Sequence, residues 1–300
     1  MRPPVALGPL PLVQLAGDIG CAGVAVDGGC LLGQVAQLAL KTVSARMALH
    51  AIYAPLPEER PTPGRRMPSL AAADDPEERL AAVKLLRRAI ESTRDLGVGV
   101  WGLDFGRVLL HADEDELRGL FARRELGEGE VGHAKLQRAV SERRRLGPAV
   151  LDACRSSLDA AIRLAERHDL GLALRFAGGL WDVPTPRETA QLLDDYVGAP
   201  LGVIYSPARL AVLAALGVGP SPELRQRLRK AALLLEAADA VGLDYPLVAG
   251  LAEVDLGELR GADLPVVMSG PLDASPEEVL AARTALDAPP EKRDGPSEKP

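Results

Sequence analysis

AERHDLGLALRFAGGLWDVPTPRETAQLLDDYVGAPLGVIYSPARLAVLAALG, residues 165–217, decides the architecture. It opens on the end of a helix and passes into a short apolar run, LGLALRF at 170–176. A pair of glycines, Gly178 and Gly179, follows, and a helix is expected at about 186–198. A second apolar run, LGVIYS at 201–206, leads into another helix near 207–217. Apolar runs this short, without strict polar alternation, suit strands that are buried on both faces. Two such strands joined by a helical crossover are parallel.

The same pattern extends in both directions. Towards the N-terminus the strand-like segments are 98–104 (VGVWGLD), 43–50 (VSARMALH), 23–27 (GVAVD) and a short one at Val5 to Leu7. Towards the C-terminus they are 232–239 (ALLLEAAD) and 263–269 (DLPVVMS). Helices are expected at 11–20, 76–96, 148–168, 221–230 and 275–286. In the helix at 76–96, Asp74 and Asp75 are candidate caps, Pro76 lies in the first turn and Gly97 stops the chain. Pro148 is expected to start its helix, with Leu151, Cys154, Leu158, Ile162 and Ala165 on one face. Residues 107–147 are charged and predict one or two exposed helices, and the proline-rich stretch from Pro55 to Pro68 predicts a loop. Eight strand–helix steps within 300 residues favour a single (β/α)₈ TIM barrel over residues 1–286, with an open doubly wound sheet as the alternative. Residues 287–300, DAPPEKRDGPSEKP, have no aliphatic pattern and are expected to be a disordered tail.

Composition narrows the function. Aromatic residues are only 3% of the chain, so the core must be built mainly from Ala, Leu and Val. A net charge of -7 argues against a broad nucleic-acid or anionic-membrane surface. The basic runs at 65–66, 123–124 and 143–145 have acidic residues interleaved, and read as solvated helix faces. Cys21, Cys30 and Cys154 form no CxxC pair and no zinc spacing, which fits isolated thiols in a reducing compartment. The N-terminus lacks the continuous apolar segment of a signal peptide, so a cytoplasmic protein is expected.

The segments AERHDLGLALRF, DVPTPRETAQLLDDY and APLGVIYSPARLAVLAALG, with LGVGVWGLDFG after the helix at 76–96, resemble the xylose isomerase-like TIM barrels. That family includes sugar phosphate isomerases, ketose epimerases and endonuclease IV-type barrels, and the resemblance spans roughly residues 10–286. It implies one to three divalent metals at the C-terminal mouth of the barrel, held by Glu, Asp and His at strand ends. The chain departs from that pattern at nearly every ligand position. The fifth-strand Glu corresponds to Arg175, the sixth-strand Asp to Ser206 and the following His to Arg209. The seventh-strand His falls near Glu236, the eighth-strand Glu at Met268 or Ser269, and the fourth-strand His at Asp104. Only the third-strand His is kept, as His50.

Arginine at two of these positions places positive charge where a divalent ion would sit, a repulsion of several kcal/mol. No family-type metal is therefore expected, and a divalent ion would need a different ligand set drawn from His50, Asp104, Glu236 and Asp239. The same four are the candidate acid/base groups of a metal-free or relocated site. Arg175 and Arg209, with Ser206, are candidates for binding an anion. The alternative is that each arginine pairs with an acid such as Glu236 or Asp104. Trp181 is a candidate sugar-stacking residue, whereas Trp101 lies mid-strand and reads as core. His111, His133 and His168 carry no assigned chemistry. Two functions remain in view, besides a nucleic-acid enzyme that the lost ligands and the net charge disfavour. One is a barrel that has lost the family's metal-dependent catalysis and serves as a small-anion or sugar-binding, regulatory or scaffold protein. The other is an isomerase or epimerase with a relocated or metal-free site. A small anionic or sugar-like ligand, a homodimer or a protein partner would suit the first, and neither reading calls for nucleic acid or membrane.

Overall fold

The computed structural model describes residues 23–26, 30–54, 68–238 and 266–269, with single positions at 13, 16, 18, 56, 58 and 264. In chain order the elements are β1 (Gly23–Val26), α1 (Leu32–Ser44), β2 (Ala48–Ala54), α2 (Pro76–Thr93), a 3₁₀ turn (Arg94–Leu96) and β3 (Val100–Leu103). They continue with α3 (Glu114–Ala122), α4 (His133–His168), β4 (Gly171–Arg175), α5 (Pro186–Asp195), β5 (Leu201–Tyr205), α6 (Pro207–Ala215), α7 (Pro222–Lys230), β6 (Ala232–Ala238) and β7 (Val266–Ser269). All seven strands are parallel and each pairs with the next in sequence, so the sheet curls into a nearly closed TIM barrel. The expected strand at Val5 to Leu7, the helix at 275–286 and the tail lie outside the described residues. No helix among the described residues is long and apolar enough to cross a membrane.

Two apolar layers follow from strand alternation. One set of side chains faces the barrel axis, with Ala51, Tyr53, Ala173, Ile204 and Leu234 in contact. The other set, including Ile52, Trp101, Leu103, Leu172, Leu174, Val203 and Leu235, packs beneath the helices. Gly102 makes the axial layer feasible. A Cβ there would come within 2.6 Å of the Tyr53 ring and 2.9 Å of the Ile204 side chain. The missing side chain is what lets Tyr53 lie across the axis just below the mouth.

Three readings of the sequence are corrected. Of residues 43–50, only 48–50 belong to a strand. Helix α1 runs to Ser44, Arg46 turns the chain with a φ of 57°, and β2 begins at Ala48. The deciding signal is helical: Val35, Leu38, Ala39 and Thr42 are buried at helical spacing. Pro148 does not start a helix, because α4 passes through it from His133 to His168. Proline removes one backbone hydrogen bond there. Buried residues on both sides, from Leu136 and Val140 to Val150, Leu151 and Leu158, keep the helix seated, and it packs along α2. The run at 143–145 is not simply a solvated face either. Arg143 is buried and forms a bidentate pair with Glu188, at 2.9 and 2.7 Å.

Glu188 has a second task. Thr185 caps α5 and Glu188 reaches back to the Thr185 backbone N–H, a reciprocal capping box. One carboxylate thus fixes the start of α5 and ties it to α4. Cys154 is free and buried, and burial pushes its thiol pKa up. Breaking a buried ion pair from one side costs far more than losing a cap. Glu188→Ala is expected to lower unfolding free energy by about 3–5 kcal/mol. Thr185→Ala, which removes only the cap, should cost about 1 kcal/mol. Urea unfolding measures both, and equal losses would show that the Arg143 pairing adds nothing.

Candidate functional site

Strand ends β3 to β6 bring four ionised side chains to one end of the barrel. Arg175 is the last residue of β4, on the same face as axial Ala173. Glu236 lies on β6, two residues after axial Leu234. Arg209 enters from the first turn of α6, which starts immediately after β5. Ser206 caps that helix by accepting from the Arg209 backbone N–H at 3.4 Å. Asp104 follows β3, and its backbone N–H donates to the carbonyl of Ala54 at 2.9 Å.

Glu236 is the centre of the arrangement. It is only 1% exposed, and each of its oxygens accepts from a different arginine. Arg175 donates through Nη2 at 2.6 Å, and Arg209 donates through Nε at 2.9 Å. Burial would push the carboxyl pKa up, but the two guanidinium groups overcome that and pull it down to about 2. Arg209 also directs Nη1 at the carbonyl of Phe176, at 3.5 Å. Beside Arg175 lies the Tyr53 ring, with the guanidinium carbon 5.2 Å from its centroid. On the open side, Asp104 Oδ2 stands 4.0 Å from Arg175 Nη1.

Of the expected site residues, Arg175, Arg209, Ser206, Glu236 and Asp104 are brought together. His50 is not among them. With β2 ending at Ala54, His50 is four residues below the strand end, about 13 Å along the strand. It sits at a β-bulge between β1 and β2, with its ring against Gly23. Trp181 is 5% exposed and belongs to the core, with its carbonyl accepting from Val108. Asp239 lies outside the described residues, and of Met268 and Ser269 only the backbone pairing with β6 is described. Tyr53 was missed by sequence reasoning. Its signal was the alternation Ala51–Tyr53 within HAIYA, which becomes legible once β2 is placed correctly.

The donor set at the mouth is a poor match for a divalent ion. Such an ion needs several anionic oxygens or imidazoles free to coordinate it. Both oxygens of Glu236 are engaged by cations, and the Ser206 hydroxyl accepts from backbone. Among the described residues no group of three or more His, Cys, Asp or Glu could hold a metal. The described mouth does not fit the metal that the resemblance implies.

The clamp gives a pH signature. An ordinary Glu titrates at about 4.3, and Glu236 titrates at about 2 when folded. The folded value is the lower one, so its contribution is complete above about pH 4.3 and is lost as pH falls towards about 2. That contribution is on the order of 3 kcal/mol. Glu236→Gln should remove this acid dependence and destabilise the protein at neutral pH by about 3–5 kcal/mol, because buried Arg209 and half-buried Arg175 lose their counter-charge. Denaturant unfolding across that pH window is the measurement, and parallel curves for both proteins would refute the clamp.

No protein-family profile and no curated sequence matches the chain. Solved structures do. The 3-keto-D-glucoside 4-epimerase YcjR of E. coli is 13% identical, with a TM-score of 0.62 over 93% of this chain and 94% of that one. A D-tagatose 3-epimerase-like protein is 16% identical, with a TM-score of 0.59 over 89% and 88%. The D-psicose 3-epimerase of Clostridium cellulolyticum H10, solved with D-tagatose, is 10% identical, with a TM-score of 0.58 over 93% and 92%. At these identities the likeness is one of fold: the chain has the fold of the xylose isomerase-like TIM barrel epimerases.

Proposed function

We propose that this is a sugar phosphate isomerase/epimerase-like barrel that has given up metal-dependent catalysis and binds a small anionic or sugar-like ligand at its mouth, in a regulatory or scaffold role. The observation that carries the reading is the Glu236 carboxylate held between Arg175 and Arg209. Isomerisation and epimerisation move a proton at carbon, and the base that takes it works best with a pKa near the working pH. A carboxylate at about 2, with a cation on each oxygen, is a poor proton acceptor. His50 lies too far down β2 to join it. Of the described acid/base candidates, only Asp104 presents an accessible group at the mouth, 53% exposed.

Binding is better supported. Arg175 is held in place by Glu236 on one side and by Tyr53 on the other. Its Nη1 is left facing Asp104 beyond hydrogen-bond reach, so a donor is already oriented for a ligand. A pre-oriented donor loses little side-chain freedom on binding. In this reading the protein acts in the cytoplasm, needs neither nucleic acid nor membrane, and has its outer surface available to a second copy or another protein.

Metal analysis of the purified protein, followed by thermal unfolding with sugars, sugar phosphates and small carboxylates, tests the proposal. The expected result is no stoichiometric divalent ion, no loss of melting temperature with EDTA and a rise with at least one ligand class. Ligand at about 100 times its Kd stabilises by about 2.7 kcal/mol, several degrees for a chain of this size. Arg175→Ala should cancel that rise. A stoichiometric metal, or an epimerase activity abolished by EDTA, would overturn the proposal.

A further inference from the structure

We infer that the exposed seam of α4 is the contact face of a symmetric dimer, in which the basic half of the seam on one protomer lies antiparallel against the acidic half on its partner. The inference goes beyond the ligand-binding reading above and does not depend on it.

Helix α4 has 36 residues, twice the length of α2 packed beside it. Its inner side is buried and carries Arg143 to Glu188. Its outer side carries one stripe of exposed residues at helical spacing. Arg138, Ser141 and Arg145 precede the exposed Pro148–Ala149 pair, and Asp152, Ser156 and Asp159 follow it.

The order of charge along this stripe selects the partner. Reversing the helix about the Pro148–Ala149 peptide exchanges Arg145 with Asp152, Ser141 with Ser156 and Arg138 with Asp159. A second copy related by a two-fold axis through that point therefore sets every one of these arginines against an aspartate, with serines between them. A parallel arrangement would set arginine against arginine. Charges along a helix seam choose orientation and partner in this way. The short side chains of Pro148 and Ala149 stand at the crossing point, where the two axes come nearest. Arg138 and Asp159 lie about 16 Å along the helix from it. At a crossing angle of about 20° the helices have parted sideways there by about 6 Å, within the reach of an extended arginine.

The groups are available. Arg138 and Arg145 are exposed and have no hydrogen bond or ion pair among the described residues. The neighbouring acid Glu142 is turned to His111, and Lys135 to Glu116. Asp152 accepts from Arg155 through Oδ1 and stays 73% exposed. Asp159 is exposed and accepts from the Tyr196 hydroxyl through Oδ1. Oδ2 of each aspartate is left for an arginine of the partner. Exposed ion pairs are individually weak, and one helix seam is smaller than the roughly 800 Å² per partner of a standard interface. The dimer is therefore weak and salt-sensitive, with its specificity set by charge order.

Sedimentation equilibrium of the full chain at about 20 mM and about 500 mM salt tests this. The expected result is a dimer with a Kd on the order of tens of micromolar at low salt, weakened about tenfold or more at high salt. Arg145→Glu and Asp152→Lys each bring like charges together at two symmetric points, so each variant should be monomeric alone. Mixed one to one, they should form a heterodimer as tight as the wild-type dimer. Arg138→Glu and Asp159→Lys repeat the comparison at the outer pair should either inner variant fail to fold, with melting temperature as the folding control. A wild-type chain that stays monomeric at several hundred micromolar in low salt overturns the inference. So does a dimer that neither reversal weakens, or a pair of reversed variants that remain apart when mixed. None of these substitutions touches the mouth, so ligand binding by the monomeric variants is a separate result.

Discussion

A carboxylate that is almost wholly withdrawn from water stays ionised only if cations replace the water it has lost. Glu236 meets that condition with two guanidinium groups from separate strand–helix steps, Arg175 at the end of β4 and Arg209 at the start of α6. The three residues join the mouth across β4, β5 and β6. A buried ion pair is weak evidence of net stability, since an apolar replacement often serves as well. What the clamp does supply is orientation. With Nη2 committed to Glu236 and the guanidinium against Tyr53, Arg175 has little freedom left, and the direction of Nη1 is set.

The layer beneath the mouth is built around the few large side chains the chain has. Trp101, Phe105, Phe176 and Tyr205 are fully buried on the helix side of the sheet, with Phe176 and Tyr205 packed edge to face, 6.4 Å between ring centroids. Among the described residues the barrel interior is filled largely by Ala, Leu and Ile, with Tyr53 as the large ring of that cluster. Its place depends on Gly102, just as the His50 ring depends on Gly23 and the Leu233 side chain on Gly202, where a Cβ would meet it at 2.5 Å. Small residues on one strand accept large ones from the next, which is how a barrel fills its axis without a pore.

The barrel was legible because its signal is repetitive: alternation of short apolar runs with longer amphipathic ones survives an error in any single element. The site was legible only where strand ends were. LGLALRF and LGVIYS are bounded sharply by glycine and proline, so Arg175, Ser206 and Arg209 fell where expected. In VSARMALHAIYA the β-branched Val43 drew the strand several residues early. With β2 running on to Ala54, His50 lies below the strand end and Tyr53 lies near it. Pairing was harder to read than position. Nothing in spacing tells that Glu236 turns its carboxylate to two arginines rather than to an open cavity, nor that Arg143 goes inward while its neighbours lie on the same helix. Such choices depend on which buried charges can find partners in three dimensions.

Fold and site chemistry are separable here, and the separation has a physical basis. What holds the barrel is the apolar layer between sheet and helices, helped on the outer side by the Arg143–Glu188 pair and the caps at Asp75, Thr185, Ser206 and Ser221. Apart from the Ser206 cap, which stands just past β5, none of that depends on which side chain stands at a strand's C-terminal end. A strand end can exchange a metal-binding carboxylate for a guanidinium without disturbing register, provided the new charge finds a counter-charge within the mouth. Glu236 and Asp104 meet that proviso for Arg175, and Glu236 meets it for Arg209. This is why a chain 10–16% identical to sugar epimerases can share their fold over about nine-tenths of its length while the chemistry of its mouth has to be argued from its own side chains.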